Sequence, residues 1–96
     1  MSESAFQSKV IKYLERMGGY VINTHGGTQT KVGTPDLIVC WRGVFLAIEL
    51  KTDEGRIRPK QKEELRKISE AGGIAMSLRP SQWESFKDEL QSIGES

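Results

Sequence analysis

The stretch from Gly33 to Lys51 places the strongest limit on what this chain can fold into. Two apolar runs, Leu37-Ile38-Val39-Cys40-Trp41 and Val44-Phe45-Leu46-Ala47-Ile48, flank the dipeptide Arg42-Gly43. β-Branched and aromatic residues on either side of a glycine-containing dipeptide predict two antiparallel strands joined by a tight turn. With the turn centred on residues 42 and 43, Trp41 faces Val44, and Asp36 then falls opposite Glu49. Directly opposed residues have Cβ atoms roughly 5 Å apart, so two carboxylates there repel unless a cation lies between them. Lys51 leaves the strand on the same face as Glu49, because side chains repeat every two residues. Two acids and a lysine therefore converge at the end of one hairpin.

That convergence has a chemical reading. Hard divalent cations such as Mg²⁺ or Mn²⁺ prefer oxygen ligands, and Mg²⁺ is usually held by one or two carboxylates plus water and phosphate. A bound cation lets both acids stay ionised. Metal-bound water loses its proton readily and becomes a nucleophile toward a phosphodiester. Lys51 is suited to orienting that water or to neutralising charge on the phosphorus oxygens. The Leu50 carbonyl, between Glu49 and Lys51, is a further candidate ligand. Taken singly, Asp36 reads as a turn residue and Glu49-x-Lys51 as a solvated strand end. The cross-strand pairing of the two is what raises the signal.

The other elements follow from periodicity. Phe6, Val10, Tyr13, Leu14 and Met17 mark one face of a helix over residues 3–17, ended by Gly18-Gly19. Ser4-Ala5-Phe6-Gln7 fits a capping box at its start, and Glu3 suits the positive end of the helix dipole. Residues 20–25 read as a strand. Residues 26–34 read as a long Gly/Thr-rich loop, suited to closing over a substrate. Pro35 stiffens the approach to Asp36. His25, alone at a strand end, reads first as a surface or hydrogen-bonded residue, with phosphate contact or proton transfer as the functional alternative. A helix is predicted over residues 59–71, with Pro59 in its first turn and Leu65, Ile68 and Ala71 inward; Gln61 leans the same way. Residues 74–79 form a half-buried strand. Ser81-Gln82-Trp83-Glu84 fits a second capping box, opening a last helix with a Trp83, Phe86, Leu90 stripe, and residues 92–96 are expected to fray. The order helix, strand, hairpin, helix, strand, helix predicts an α/β fold, a mixed sheet flanked by helices.

Composition narrows the class. Ninety-six residues with 36% hydrophobic and 28% charged content fit one soluble globular domain, residues 1–96. No apolar run reaches the length of a membrane span, so no membrane association is expected. The first residues, Met1-Ser2-Glu3-Ser4, lack the basic-then-apolar pattern of a secretory leader, and an intracellular protein is expected. Cys40 is the only cysteine and reads as a small buried hydrophobe in mid-strand. The net charge of +1 is uninformative, but its distribution is not. Residues 56–67 carry Arg56, Arg58, Lys60, Lys62, Arg66 and Lys67 against Glu63 and Glu64, which is +4. That segment is suited to holding a polyanion. On charge alone, a solvated helix face is the better reading.

Gly33-x-Pro35-Asp36 followed by Glu49-x-Lys51 resembles the Pro-Asp…(Asp/Glu)-x-Lys motif of the restriction-endonuclease-like nucleases. The closer resemblance is to the virus-type replication-repair nuclease family, VRR-NUC. It covers residues 3–79 and takes in Glu3 with Gln7, Pro59-x-Gln61 and Gly72-Gly73. The resemblance implies an αβββαβ core plus a C-terminal helix. It implies that Asp36, Glu49 and the Leu50 carbonyl hold Mg²⁺ or Mn²⁺, with Glu3 contributing directly or through water. It makes Lys51 the catalytic lysine and Gln61 a support for the site or substrate. It implies cleavage of DNA phosphodiesters and no organic cofactor, and with DNA as substrate Lys31, Arg56, Arg58, Lys60 and Lys62 are placed for contact with its backbone. Small stand-alone members, from phages and bacteria, resemble homodimers acting on branched DNA such as Holliday junctions. Trp41 or the last helix would then supply an interface. The competing reading is a catalytically silent nucleic-acid-binding or assembly module on the same fold.

Overall fold

The computed structural model describes residues 1–25 and 31–94. Residues 26–30 of the loop expected over residues 26–34 lie outside the described residues, and with them the idea that this loop closes over substrate; so do residues 95 and 96 of the end expected to fray.

The elements are α1 (Glu3–Arg16), β1 (Tyr20–Asn23), β2 (Leu37–Trp41), β3 (Val44–Leu50), α2 (Pro59–Glu70), β4 (Ile74–Leu78), a 3₁₀ turn (Pro80–Gln82) and α3 (Trp83–Ser92). The sheet runs β1-β2-β3-β4. β1, β2 and β3 pair antiparallel, while β4 lies parallel to β3, with α2 as the crossover. The hairpin register is the one expected, Trp41 to Val44 through Leu37 to Ile48. Arg42 (φ 50°) and Gly43 (φ 80°) both take the left-handed conformation that a two-residue hairpin turn of matching twist requires.

One face of the sheet carries the core. Leu37, Val39 and Trp41 of β2 and Leu46, Ile48 and Leu50 of β3 pack with Phe6, Val10 and Leu14 of α1 and with Trp83, Phe86 and Leu90 of α3. Trp41 is buried, and its indole N–H donates to the Leu90 carbonyl at 3.1 Å. Neither Trp41 nor the α3 stripe is therefore free to form an interface, contrary to the expectation above. The single donor of the indole needs a buried acceptor, and the Leu90 carbonyl in the last turn of α3, which also accepts the Ile93 N–H at 3.2 Å, supplies one.

The other face is covered unevenly. α2 packs on β4 and β3 and leaves β1 and β2 largely open. Rows across this face grow more buried toward one end. Tyr20, Cys40 and Phe45 form an exposed row, with Tyr20 70% and Phe45 49% accessible. Ile22, Ile38 and Ala47 follow, and Ala47 is fully buried. One step beyond the last paired residues come Asp36 and Glu49, 3% and 2% exposed. Cys40 is thus exposed rather than buried, because its strand position puts it on the uncovered face.

Four smaller expectations also change. Ser2, not Ser4, caps α1, accepting the Ala5 N–H at 3.1 Å, so Glu3 lies inside the first turn. Ser81 donates its backbone N–H to Asp53 (3.0 Å) instead of capping α3 by its side chain. Ala71 is exposed at the C-cap, Leu65 and Ile68 are half-buried, and the buried residue of α2 is Glu64. Strand β1 stops at Asn23, two residues early. The Asn23 side chain accepts the His25 N–H at 2.9 Å and turns the backbone out of the extended form.

Candidate active site

Pro35 and Asp36 are gripped from the end of β1 before the carboxylate is reached. The Thr24 N–H donates to the Asp36 carbonyl at 3.0 Å. The Thr24 hydroxyl lies 2.7 Å from the Pro35 carbonyl and 3.1 Å from that of Asp36. With the proline ring fixing φ, little backbone freedom remains at this point. The carboxylate is held in turn. Asp36 Oδ2 accepts the Leu50 N–H at 2.8 Å, and Oδ1 meets the His25 ring nitrogen Nε2. His25 thus stands against the first acid of the motif. The available signal was its place at the end of the strand that pairs with β2.

Glu49 is held from the opposite side. Gln61 Nε2 donates to Glu49 Oε2 at 3.0 Å. The Gln61 carbonyl oxygen accepts the Arg58 N–H at 2.9 Å, which closes the first turn of α2 and fixes which way the amide points. Gln61 therefore joins a helix cap to an acid of the site. Lys51 Nζ lies 3.7 Å from Glu49 Oε2. Burial pushes the Glu49 carboxyl up to about 7, reinforced by the negative charge of Asp36 and only partly offset by Lys51. Its second oxygen, Oε1, is buried and has no hydrogen-bond partner among the described residues. A buried carboxylate oxygen with nothing to satisfy it is costly. It marks a place where a positive group belongs.

The segment after Lys51 is also fastened. The Arg79 guanidinium donates to the Thr52 carbonyl at 2.6 Å and to the Gly55 carbonyl at 2.7 Å, closing the loop between β3 and α2. Arg56 and Lys62 line a groove there with Gly55, Ile57 and Arg79. Arg58 is the N-cap of α2 and is exposed. Lys60 pairs with Glu63 at 3.2 Å, and Lys31 pairs with Glu64 at 3.1 Å.

The fold thus brings together Asp36, Glu49, Lys51 and Gln61, with Leu50 contributing its N–H between the two acids. It adds His25, Thr24 and Arg79, which the sequence alone does not place there. Glu3 is exposed in the first turn of α1. No hydrogen bond or ion pair among the described residues joins it to the acids. Nor do three or more His, Cys, Asp or Glu side chains among the described residues group as a metal cage. What the site offers is a carboxylate pair with one unsatisfied oxygen. That donor set suits a hard cation completing its shell with water and phosphate.

No helix among the described residues is long and apolar enough to cross a membrane. The family model of the VRR-NUC domain matches residues 3–90. No curated protein matches the chain. The four-stranded mixed sheet with its flanking helices is consistent with the restriction-endonuclease-like fold of that family.

Proposed function

The chain belongs to the VRR-NUC family of nucleases, and we propose that residues 1–96 form one divalent-metal-dependent DNA endonuclease domain. The observation that carries the metal dependence is the orphaned, buried Glu49 Oε1 beside Asp36. A Mg²⁺ or Mn²⁺ ion held by Asp36, Glu49 and the Leu50 carbonyl would polarise a water and a phosphoryl oxygen. The protein's own residues do the rest. Gln61 holds one oxygen of Glu49, which would leave the other for the ion. The Leu50 N–H holds Oδ2 of Asp36, and Oδ1, now against His25, would be the oxygen offered to the ion. Lys51 orients the attacking water and neutralises charge gathering on the phosphorus oxygens. Glu3 is not required by this reading.

Arg56, Arg58, Lys60 and Lys62 meet backbone phosphates of the substrate. Lys31 and Lys60, their charges opposed by Glu64 and Glu63, are the weaker members of the set. Such contacts position a duplex without reading its bases, so selectivity for shape, as in a Holliday junction or other branched DNA, suits this surface better than selectivity for sequence. A homodimer presents two sites to two strands of a junction. Exposed Tyr20, Ile22 and Phe45 on the open sheet face are where a second copy would dock. The setting we propose is the cytoplasm of a bacterium, including one infected by a phage.

The test is cleavage of four-way junction and linear duplex DNA with Mg²⁺, Mn²⁺ or EDTA. Metal-dependent cutting, faster on the junction, is expected. Asp36→Asn should bind DNA without cutting it, and Lys51→Ala should lose roughly 10²–10³-fold in rate, on the scale of one lost electrostatic stabiliser. An absence of cleavage on every DNA form, or full activity in either variant, would refute the reading.

A further inference from the structure

One helix meets both chain segments that carry the acids. The first turn of α2 holds Gln61, bonded to Glu49. One turn further on, Glu64 is the most withdrawn residue of the helix, 8% exposed, while its apolar neighbours are only half-buried. Apolar side chains usually fill that position on a helix laid against a sheet, so a carboxylate there has to be explained. Three ammonium groups surround it. Lys67 and Lys60, at 3.3 and 3.9 Å from Oε2, come from the same helix at spacings where such pairs form readily. Lys31 does not. It lies 3.1 Å from Oε1 and belongs to the segment leading into Pro35-Asp36.

A second contact supports that docking. Gly33 has φ +87° and sits so close to α2 that a Cβ there would stand 2.7 Å from the Lys60 carbonyl oxygen. The backbone of this segment therefore lies directly on the first turn of the helix. Residues 31–34 are themselves a closed turn, with the Thr34 N–H donating to the Lys31 carbonyl at 3.1 Å. Pro35 follows at once and passes the placement of that turn to Asp36 with little slack.

We propose that the Lys31–Glu64 ion pair is a positioning device for the nuclease site: it seats the turn at residues 31–34 on α2 and so sets Asp36 against Glu49. The proposal rests on the nuclease reading above for its functional consequence but not for its structural one. It makes α2 the shared gauge of the two acids, with Gln61 holding Glu49 directly and Glu64 holding Asp36 through Lys31. It also gives Lys31 a task other than meeting phosphate.

The test uses the full chain as wild type, Lys31→Met, Glu64→Gln, the double variant and Lys31→Arg. The Leu50 N–H donates to Asp36 Oδ2, so its exchange with solvent, read by NMR without metal or DNA, reports where Asp36 sits. Both single variants should speed Leu50 exchange by about fivefold or more. The double variant should be no worse than either single, as expected for two partners in one interaction. Lys31→Arg, which keeps the charge, should leave exchange slow, and amides elsewhere in β3 should not change. In parallel, Mn²⁺ affinity by calorimetry should weaken in both single variants, with kcat falling and KM for DNA little changed. The proposal is overturned if Leu50 exchange is unmoved or the single effects simply add. It is also overturned if Lys31→Met raises KM while Glu64→Gln lowers it, since Lys31 would then be a phosphate contact. A wild type that neither binds metal nor cuts DNA would remove the nuclease reading, and Leu50 exchange would still decide the docking.

Discussion

Replacing Glu49 by glutamine should stabilise the metal-free domain at pH 8 while abolishing cleavage. The Glu49 side chain is 3% exposed, and its carboxyl is pushed from 4.5 up to about 7 by burial first and by Asp36 second. Between those two values the folded chain holds a proton that the unfolded chain has released. Stability conferred by that proton is therefore present at low pH and lost as pH rises from 4.5 to about 7; above 7 no further loss occurs. Each tenfold change in proton affinity corresponds to about 1.4 kcal/mol, so the whole window is worth about 3 kcal/mol. Glutamine carries no charge to bury, and its amide oxygen can still accept the Gln61 bond. The assay is urea unfolding in EDTA at pH 5, 6, 7 and 8 for both proteins. The difference between them should be small at pH 5 and grow to about 2–3 kcal/mol in favour of Glu49→Gln at pH 8, more than about 10 °C in Tm for a domain this size. Added Mg²⁺ should stabilise only the wild type, because only it retains the carboxylate pair. A difference that stays constant from pH 5 to pH 8 would refute the account of Glu49 as a strained, buried acid awaiting a cation.

Two further outcomes follow from the packing. Gly33→Ala should cost roughly 2–3 kcal/mol by urea unfolding, since alanine resists the left-handed conformation and its Cβ would press on the Lys60 carbonyl; unaltered stability would mean that the turn does not seat on α2. Cys40 should react with a thiol reagent in the native protein nearly as fast as in urea, because it lies on the open sheet face. If copies pair through that face, the reaction should slow as protein concentration rises, and a rate independent of concentration would place the dimer elsewhere.

The acid pair and lysine were legible because each link in that reading is local. A two-residue turn sets the register, the register sets which residues oppose, and strand alternation sets which share a face. Gln61 was legible as inward-leaning, but not as the residue that both caps α2 and holds Glu49. That needs two separate elements in place at once. Cys40 was misread for a related reason. Alternation shows that it shares a face with Ile38 and Asp36, and says nothing about how far α2 reaches across that face. The capping box at Ser4 fails because Ser2 offers a competing hydroxyl within reach, and small polar residues near a helix start are nearly interchangeable as caps. That at Ser81 fails because Pro80–Gln82 winds into a 3₁₀ turn, in which the Gln82 side chain accepts the Arg79 N–H at 2.9 Å.

The hairpin, its register, the order of the elements and the meeting of Asp36, Glu49 and Lys51 are all written locally along the chain. They depend on turn chemistry and on periods of two and 3.6 residues, which any short window of the chain contains. What surrounds that meeting point depends instead on how the layers pack. That packing put Thr24 and His25, just past β1, against Asp36, buried Trp41 under α3, and made Glu64 the inward residue of α2. It also left one oxygen of Glu49 with no hydrogen-bond partner among the described residues. Each of these is set by which layer covers which part of the sheet, and coverage is a property of the whole packing rather than of any one segment.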